Sequence, residues 1–260
     1  MRNTLAFARK ELRIYLTTWT SYVLVGAFVA LTAFFFSFLV QEFQQRRLDY
    51  AKRGAAGILA QMNLTDLVVG PTFSYVATFF VFMLPILTMR LIAEERRSKT
   101  LELLLSTPVR PIEILLGKYL AAWTVMIAML AATGIFPLSL HFFADADPNA
   151  VDWNTVWAGY LGMALLGSAG VAVGLFASAV TESQVVAVVI GFAILLLLMV
   201  VGVAAAGSSW RPVLEHLSIS HHMQGFARGL VRSPGVTYYA SLTFLSLYFA
   251  LRFLDAERWR

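Results

Sequence analysis

The segment from Ser183 to Trp210 reads SQVVAVVIGFAILLLLMVVGVAAAGSSW and contains no charged side chain. A hydrocarbon core about 30 Å thick is crossed by roughly 20 helical residues at a rise of 1.5 Å each. This segment of 28 residues is therefore long enough to span a membrane. Because backbone amides cannot remain unpaired in lipid, it should cross as an α-helix.

Five further stretches of the chain share this property, so that all charged residues lie outside six uncharged segments. The sequence therefore predicts an all-α polytopic membrane protein with one transmembrane domain over residues 1–260. Its last uncharged segment, with 19 residues, is only just long enough to cross. The six spans are expected at about 19–40, 72–92, 119–142, 154–180, 185–206 and 235–254.

Composition supports a membrane protein and excludes several kinds of chemistry. Of the 260 residues, 59% are hydrophobic and 13% are charged, whereas a soluble domain has roughly 25% charged residues. The absence of Cys excludes disulfides, iron–sulfur clusters, zinc–thiolate sites and a Cys nucleophile. No phosphate-binding loop is present, since Gly117-Lys118 lacks the upstream glycine and is followed by Tyr119. The charge-free spans disfavour a proton-coupled carrier and an intramembrane protease.

The distribution of basic residues predicts the orientation. Placing the N-terminus in the cytoplasm puts 13 Lys and Arg residues inside and seven outside, as the positive-inside rule requires. Both termini are therefore expected in the cytoplasm. The net charge of +5 is mostly an insertion signal with affinity for lipid headgroups, and no nucleic-acid partner is expected.

Residues 1–18 have helical periodicity and predict an amphipathic helix in the cytoplasmic interface. This helix could be a simple anchor or a connecting element that senses a cytoplasmic partner. One face carries Leu5, Ala8, Leu12, Tyr15, Leu16 and Trp19, and another carries Arg2, Arg9, Lys10 and Arg13.

Small residues recur every fourth position in the fourth span, at Gly170, Gly174 and Ser178. They form a smooth helix face that a neighbouring backbone can approach closely. Packing within the chain is favoured over a dimer face. In the last external loop, His221 and His222 point about 100° apart if helical, so no metal site is expected and interfacial hydrogen bonding is favoured.

The longest cytoplasmic loop, residues 90–118, begins as a charged extension of the second span. A short helix is expected from Thr100 to Ser106, stopped before Pro108, and Pro111 suits the first turn of the next helix. The short helix exposes leucines that either bind a partner or pack back onto the spans, and the sequence favours neither.

The string from Arg90 to Ala121 matches R-x-x-A-E-E-[KR]-[KR]-x-x-T-[IL]-E-L-L-L-[ST]-x-P-[IV], followed by E-I-x-L-G-K-[YF]-x-A. With the six-span layout and the segment from Leu217 to Leu230, it resembles the permeases of the type-2 ATP-binding cassette (ABC) superfamily. Within them it is most similar to the gliding-motility-associated (GldF-like) branch, with NosY-like permeases as near relatives.

The resemblance implies a non-enzymatic permease of the bacterial cytoplasmic (inner) membrane, and it assigns roles to three parts of the chain. Residues 93–117 would form a cytoplasmic coupling loop that docks on a separate ABC ATPase, which would be present in two copies. This chain would bind no cofactor itself, because ATP and Mg would be bound by the ATPase. The docking residues would be Glu94, Glu95, Arg96, Arg97, Thr100, Leu101, Glu102, Leu104, Leu105, Pro108 and Arg110. Residues 207–234 would form a partly re-entrant external segment that includes His221, His222, Phe226 and Arg228.

The same resemblance implies a second permease subunit, identical or related, and an accessory membrane protein with a large external domain. It implies an ATP-driven exporter whose substrate the sequence does not reveal. Two alternatives stay open: an energy-transducing subunit of a motility or envelope machine that moves no solute, and an unrelated carrier or membrane enzyme.

Overall fold

The computed structural model describes residues 2–59, 62–100, 109–143, 151–204 and 209–257, and within these ranges every regular element is helical. A single π-helical turn, Thr65–Val69, precedes the fourth α-helix. The α-helices are α1 (Arg2–Thr17), α2 (Trp19–Lys52), α3 (Ala56–Leu59), α4 (Gly70–Thr88), α5 (Arg90–Arg97), α6 (Pro111–Ala132), α7 (Ile135–Phe143), α8 (Trp153–Val180), α9 (Gln184–Ala204), α10 (Arg211–Leu217), α11 (Ile219–Ala227) and α12 (Ser233–Glu257).

Five long apolar helical segments are candidate membrane spans, and they confirm that the chain is a multi-pass membrane protein. They cover Trp19–Lys52, Thr65–Arg97, Pro111–Phe142, Trp153–Val180 and Gln184–Ala204. The sixth uncharged segment of the sequence lies in α12, a helix of 25 residues that packs along α8.

The candidate spans differ in how much of their surface other helices cover. In the most apolar window of each, 72% of α8 and 67% of the α4 segment is buried, against 22% of α2 and 17% of α9. The α4 and α8 helices therefore form the core. The α2 and α9 helices present large apolar side chains such as Phe34, Leu197 and Val203 outward, as a surface in contact with lipid does.

The first long helix extends farther than the sequence analysis indicated. The first span was predicted to end at about residue 40, and the helix that contains it continues to Lys52, over 34 residues. Between Glu42 and Lys52 there is no Gly or Pro, so nothing in the local sequence stops the helix. It ends where Gly54 adopts a φ of 70°, a conformation that favours glycine.

Prolines and a short turn fix the other helix boundaries. The α6 helix begins at Pro111, as predicted, because a proline at the first helical position loses no hydrogen bond. Helix α6 ends before Thr133, and α7 begins at Ile135; Pro137 lacks the N–H that would bond to the Thr133 carbonyl. The α8 and α9 helices are joined by a tight connection at residues 181–183.

Side-chain contacts define two ends of the helical bundle. At the first, here called the loop end, α1 meets the first turns of α6 through Glu11 and Lys118. Contacts of Arg96 also bring α5 to the last turns of α8 and α12 there. At the opposite end, α10 and α11 lie near the first turns of α8 and α12. The first and last helices therefore both reach the loop end.

Helix α1 covers most of the N-terminal amphipathic segment and has a buried side and an exposed side. Glu11 is buried against Lys118 of α6, and Tyr15 is buried against Leu87 of α4. Leu5 and Leu16 are exposed, as is Trp19 at the start of α2. A Cβ atom at Gly117 would lie 2.6 Å from the Cβ of Phe7. Glycine at position 117 therefore permits α1 to approach α6 this closely.

Candidate functional site

A buried ionic cluster joins three helices at the loop end. The Lys118 Nζ atom lies 2.8 Å from Glu11 Oε1 and 2.8 Å from Glu95 Oε1. The Lys118 side chain is only 1% exposed. A charge removed from water in this way requires close partners, and here α1 and α5 supply one carboxylate each. Lys10 adds a longer contact of 3.7 Å to Glu95.

Tyr15 and Arg90 extend this cluster toward α4. The Tyr15 hydroxyl donates a hydrogen bond of 2.7 Å to the Leu87 carbonyl, and the Arg90 guanidinium lies 4.9 Å from the centre of the Tyr15 ring. Burial raises the pKa of Tyr15 well above its ordinary value, so the phenol remains a neutral donor. Among the described residues, Arg90 Nη2 and Glu95 Oε2 are buried without a hydrogen-bond partner.

The junction between α4 and α5 is held by Ser178 of α8. Its hydroxyl accepts hydrogen bonds of 3.0 Å from the backbone N–H groups of Ile92 and Ala93 and donates one of 2.8 Å to the Met89 carbonyl. Ile92 and Ala93 lie in the first turn of α5, where N–H groups have no partner inside their own helix. One buried side chain therefore completes the helix start that leads into the loop.

The other two residues of the small-residue stripe also face α4. A Cβ atom at Gly170 would lie 2.4 Å from Leu84 Cδ1, and one at Gly174 would lie 2.0 Å from Thr88 Oγ1. Both distances are too short for a side chain, so α4 and α8 pack closely here because these positions carry no Cβ. The small-residue stripe of α8 therefore packs against α4 of the same chain.

Arg96 fixes the end of α5 to two other helices. Its Nη1 donates a hydrogen bond of 2.7 Å to the Ala179 carbonyl, and its Nη2 is paired with Glu257 of α12. After Arg97 the chain turns sharply, with Lys99 at a φ of 56°, and the Thr100 hydroxyl donates to the Glu95 carbonyl over 3.3 Å. The segment that leads out of α5 is therefore attached to α8 and α12.

The return of the loop into α6 is also anchored. Glu113 accepts a hydrogen bond of 3.2 Å from the Asn3 side chain of α1 and one of 3.4 Å from the Arg110 backbone N–H. Both ends of the loop therefore contact α1, through Glu113 on one side and through Lys10 and Glu95 on the other.

The structure places the predicted docking residues in three groups. Glu95 and Arg96 are engaged in contacts inside the chain, as described above. Glu94, Arg97, Thr100 and Arg110 are exposed. The remaining predicted docking residues lie outside the described residues: Leu101, Glu102, Leu104, Leu105 and Pro108.

Sequence reasoning assigned no role to the buried pair Glu11 and Lys118, although a signal was present for Glu11. Glu11 is the only acidic residue before the first span, and it lies one helical turn from Tyr15, on the same side of α1. Lys118 belongs to the loop motif, and the sequence analysis gave its side chain no partner. An acid on an apolar helix face is an indication of a buried partner.

At the opposite end, α11 is fixed between the long helices. The Phe226 side chain is 1% exposed and occupies the space left open by Gly162 and Gly235, since a Cβ at either position would lie within 3 Å of it. The Tyr239 hydroxyl donates a hydrogen bond of 3.0 Å to the Ile219 carbonyl. The buried hydroxyl of Ser218 caps α11 by accepting a hydrogen bond of 3.3 Å from the His221 backbone N–H.

The histidines of this segment bond to backbone and aromatic groups. His222 stacks on Tyr238 with 4.3 Å between ring centres, and its Nε2 lies 3.0 Å from the His216 carbonyl. His221 and Arg228 are exposed. Across the part of the chain that the structure describes, no group of three or more His, Asp or Glu side chains could hold a metal ion.

These observations define a class of protein: a multi-pass helical membrane protein in which one loop is anchored on a buried ionic cluster. A sequence model described as ABC-2 family transporter protein matches residues 5–230. The chain therefore belongs to the ABC-2 transporter family, as a membrane component of such a transporter. This class of permease is typically a non-catalytic subunit that works with ATPase subunits. No curated protein matches the chain.

Proposed function

We propose that this chain is the permease subunit of an ATP-driven exporter. A separate cytoplasmic ATPase would hydrolyse ATP with Mg, and the chain would couple that reaction to movement of a substrate across or out of the membrane. The observation that carries the proposal is the anchoring of the loop. Glu95 lies near the start of the loop and Lys118 directly follows its end, and the two side chains form an ion pair.

This arrangement is suited to transmitting force. Because Lys118 also binds Glu11, a push on the loop reaches α1, α5 and α6 together. Arg96 carries the same displacement to α8 and α12. A loop attached at one point only would bend instead of moving the helices.

The proposed docking surface combines apolar and charged residues. The leucines at positions 101, 104 and 105 would provide apolar anchors at the centre, where interface energy is concentrated. Exposed charges such as Glu94, Arg97 and Arg110 would make ionic contacts at the rim, which adjust the association rate and the register. Glu95 and Arg96 would act behind this surface, through their contacts inside the chain.

The proposed topology has six spans, with α12 as the last, both termini in the cytoplasm, and the loop end on the cytoplasmic side. The bacterial inner membrane is the proposed location. A second permease subunit would pair with this chain, and each would bind one ATPase. We propose that the first, second and fifth spans line the path between the two subunits. The exposed apolar surfaces of α2 and α9 support this for the first and fifth spans, because a surface left uncovered within one chain can face a second subunit as well as lipid.

A force-transmitting role is the second candidate, and it would fit a GldF-like branch with an accessory protein that has a large external domain. The observation that favours it is that each of the six proposed spans contains a long segment without Asp, Glu, Lys or Arg. A subunit that only transmits force needs no polar path for a substrate. Solute flux separates the two functions. Loss of flux in a loop variant with intact assembly supports export, whereas unchanged flux with lost motility supports force transmission.

The docking proposal is tested by co-expressing the tagged chain with its genomic neighbours and identifying the proteins that purify with it in mild detergent. The parent chain should retain a soluble ATPase, and the double variant Leu101→Asp/Leu104→Asp should lose it, because it buries unpaired charge at the interface. The matched control, Leu48→Asp/Ile58→Asp, changes two exposed apolar residues outside the loop and should retain the ATPase. Retention by the loop variant would overturn the docking assignment.

A further inference from the structure

A cleft of about 340 Å³ lies at the opposite end of the molecule, between α10, α11 and the start of α12. Its described lining contains five basic side chains and no carboxylate. Apolar surface is supplied by Phe226, Leu230 and Pro234. The basic residues are His216, His221, His222, Arg228 and Arg232.

The two arginines of the cleft have no counter-charge in the described part of the chain. Neither the Arg228 nor the Arg232 side chain makes a hydrogen bond or an ion pair with any described residue. The acid nearest in sequence to the cleft histidines, Glu215, is already bonded to Arg211 over 2.7 Å. The cleft therefore concentrates positive charge that nothing within it neutralises.

The backbone that carries these arginines is held in place. Between them Gly229 has a φ of 78°, and a Cβ at this position would lie 2.5 Å from Thr155 Oγ1. The Leu230 N–H donates a hydrogen bond of 2.9 Å to the Gly225 carbonyl, which closes the turn after α11. A turn fixed against α8 presents both arginines from a preorganised position, which lowers the entropic cost of binding.

Two of the cleft histidines each use one ring nitrogen in a contact with a backbone carbonyl. His216 uses Nδ1 in a 2.7 Å contact with the Pro212 carbonyl, and His222 uses Nε2 with the His216 carbonyl, so one nitrogen of each ring has no partner in these contacts. Their geometry does not form a metal site among the described residues. A carbonyl accepts its hydrogen bond from a ring N–H, so the second nitrogen of each neutral ring is an acceptor. The donors that favour an anion with several acceptor oxygens are therefore the two guanidinium groups.

We propose that this cleft binds a phosphate group. Guanidinium groups match phosphate oxygens in pairs, and the apolar wall suits the remainder of an amphipathic molecule. The cleft lies beside the last turns of α9 and the first turn of α12, and in the proposed topology this is the level at which phospholipid headgroups meet water. The phosphate could belong to a lipid headgroup or to a water-soluble compound. The site stands independently of the proposed coupling to an ATPase, because it lies at the other end of the molecule.

The test uses the full chain in detergent and two probes. Native mass spectrometry measures binding of phosphatidylglycerol against phosphatidylcholine, and phosphorus NMR line broadening measures binding of inorganic phosphate. The variant Arg228→Gln/Arg232→Gln should weaken binding about tenfold or more, since each charged hydrogen bond contributes substantially. The control Arg47→Gln/Arg53→Gln removes the same charge from exposed positions outside the cleft and should bind like the parent.

Each result has a defined meaning. Selective binding of phosphatidylglycerol that is lost in the cleft variant supports a lipid headgroup as the source. Binding of inorganic phosphate without lipid selectivity, again lost in the cleft variant, supports a water-soluble phosphate. The proposal is overturned if neither probe binds, if the cleft variant binds like the parent, or if the control loses as much affinity as the cleft variant.

Discussion

The two ends of this permease treat positive charge in opposite ways. At the loop end, Lys118 is almost completely buried and contacts two carboxylates. At the opposite end, Arg228 and Arg232 line an open cleft and have no partner among the described residues. A buried cation needs a carboxylate partner inside the chain for the fold to be stable. An exposed cation needs no such partner and remains available to bind an anion from outside the chain.

The largest effect should come from breaking the buried cluster with Lys118→Met. This change leaves Glu11 and Glu95 facing each other in a buried site and should cost about 3–5 kcal/mol of stability. Thermal unfolding of the purified chain, followed by size-exclusion chromatography after heating, measures the loss. The contrasting variant Arg232→Met, at the opposite end, should unfold at nearly the parent temperature.

A triple variant shows whether the loss is due to uncompensated charge. Glu11→Leu/Glu95→Leu/Lys118→Met removes the whole cluster and should recover much of the stability, because replacing all members of a buried ionic group is often nearly neutral. Its coupling to the ATPase should nevertheless be reduced. A triple variant as unstable as Lys118→Met would show that packing, not charge, dominates at the loop end.

The next effect concerns the helix contact behind the loop. Gly174→Ala places a Cβ against Thr88 Oγ1 and should cost about 1–3 kcal/mol through overpacking. Gly26→Ala is the matched control, because no atom lies within 4 Å of the added Cβ, and it should be neutral or slightly stabilising. Equal unfolding temperatures for the two variants would contradict the close α4–α8 packing.

Much of the helical layout was predictable because lipid imposes a simple rule on the sequence. Uncharged runs identified the regions of the five long apolar helices, and Pro111 marked the start of α6. The ionic cluster was not predictable from such patterns. Lys118 and Glu11 are 107 positions apart, and no local periodicity relates them. A charge at the end of an apolar run looks the same in sequence whether it faces water or a buried carboxylate.

A smaller effect should appear as a dependence on pH at the opposite end. Burial lowers the pKa of His222 below its ordinary value, which is about 6.5, with His221 and His216 adding repulsion. The unfolded chain then binds a proton more readily than the folded chain. The stabilising contribution of the neutral ring is complete above about pH 6.5 and is lost as the pH falls below it.

This pH dependence is tested by measuring the unfolding temperatures of the parent and of His222→Gln between pH 5 and pH 8. The difference between the two proteins should narrow as the pH falls, since only the parent loses stability through this ring. A difference that is constant over the range would mean that His222 stays in one protonation state. The charged neighbours Arg211 and Glu215 are unchanged in both proteins.

The smallest effect should follow from Arg211→Gln, which breaks the exposed pair with Glu215 at the opposite end. Such surface pairs contribute little to stability, so the unfolding temperature should change less than for Gly174→Ala. Comparison with Lys118→Met in the same buffer then separates exposed from buried ion pairs. A large loss on Arg211→Gln would show that the pair organises α10 and the histidines beside it.

The separation of Glu11 and Lys118 in the chain has a consequence for biogenesis. At roughly 5–20 residues per second of synthesis, Glu11 emerges several seconds before the lysine that it will bind. During that interval α1 lacks its partner helix and can rest on the lipid surface through its exposed leucines. The contact between Glu11 and Lys118 can therefore form only once the chain has been made past the coupling loop, whereas the Tyr15 contact with Leu87 can form earlier. A nascent chain that stalls before residue 118 leaves Glu11 without its lysine partner.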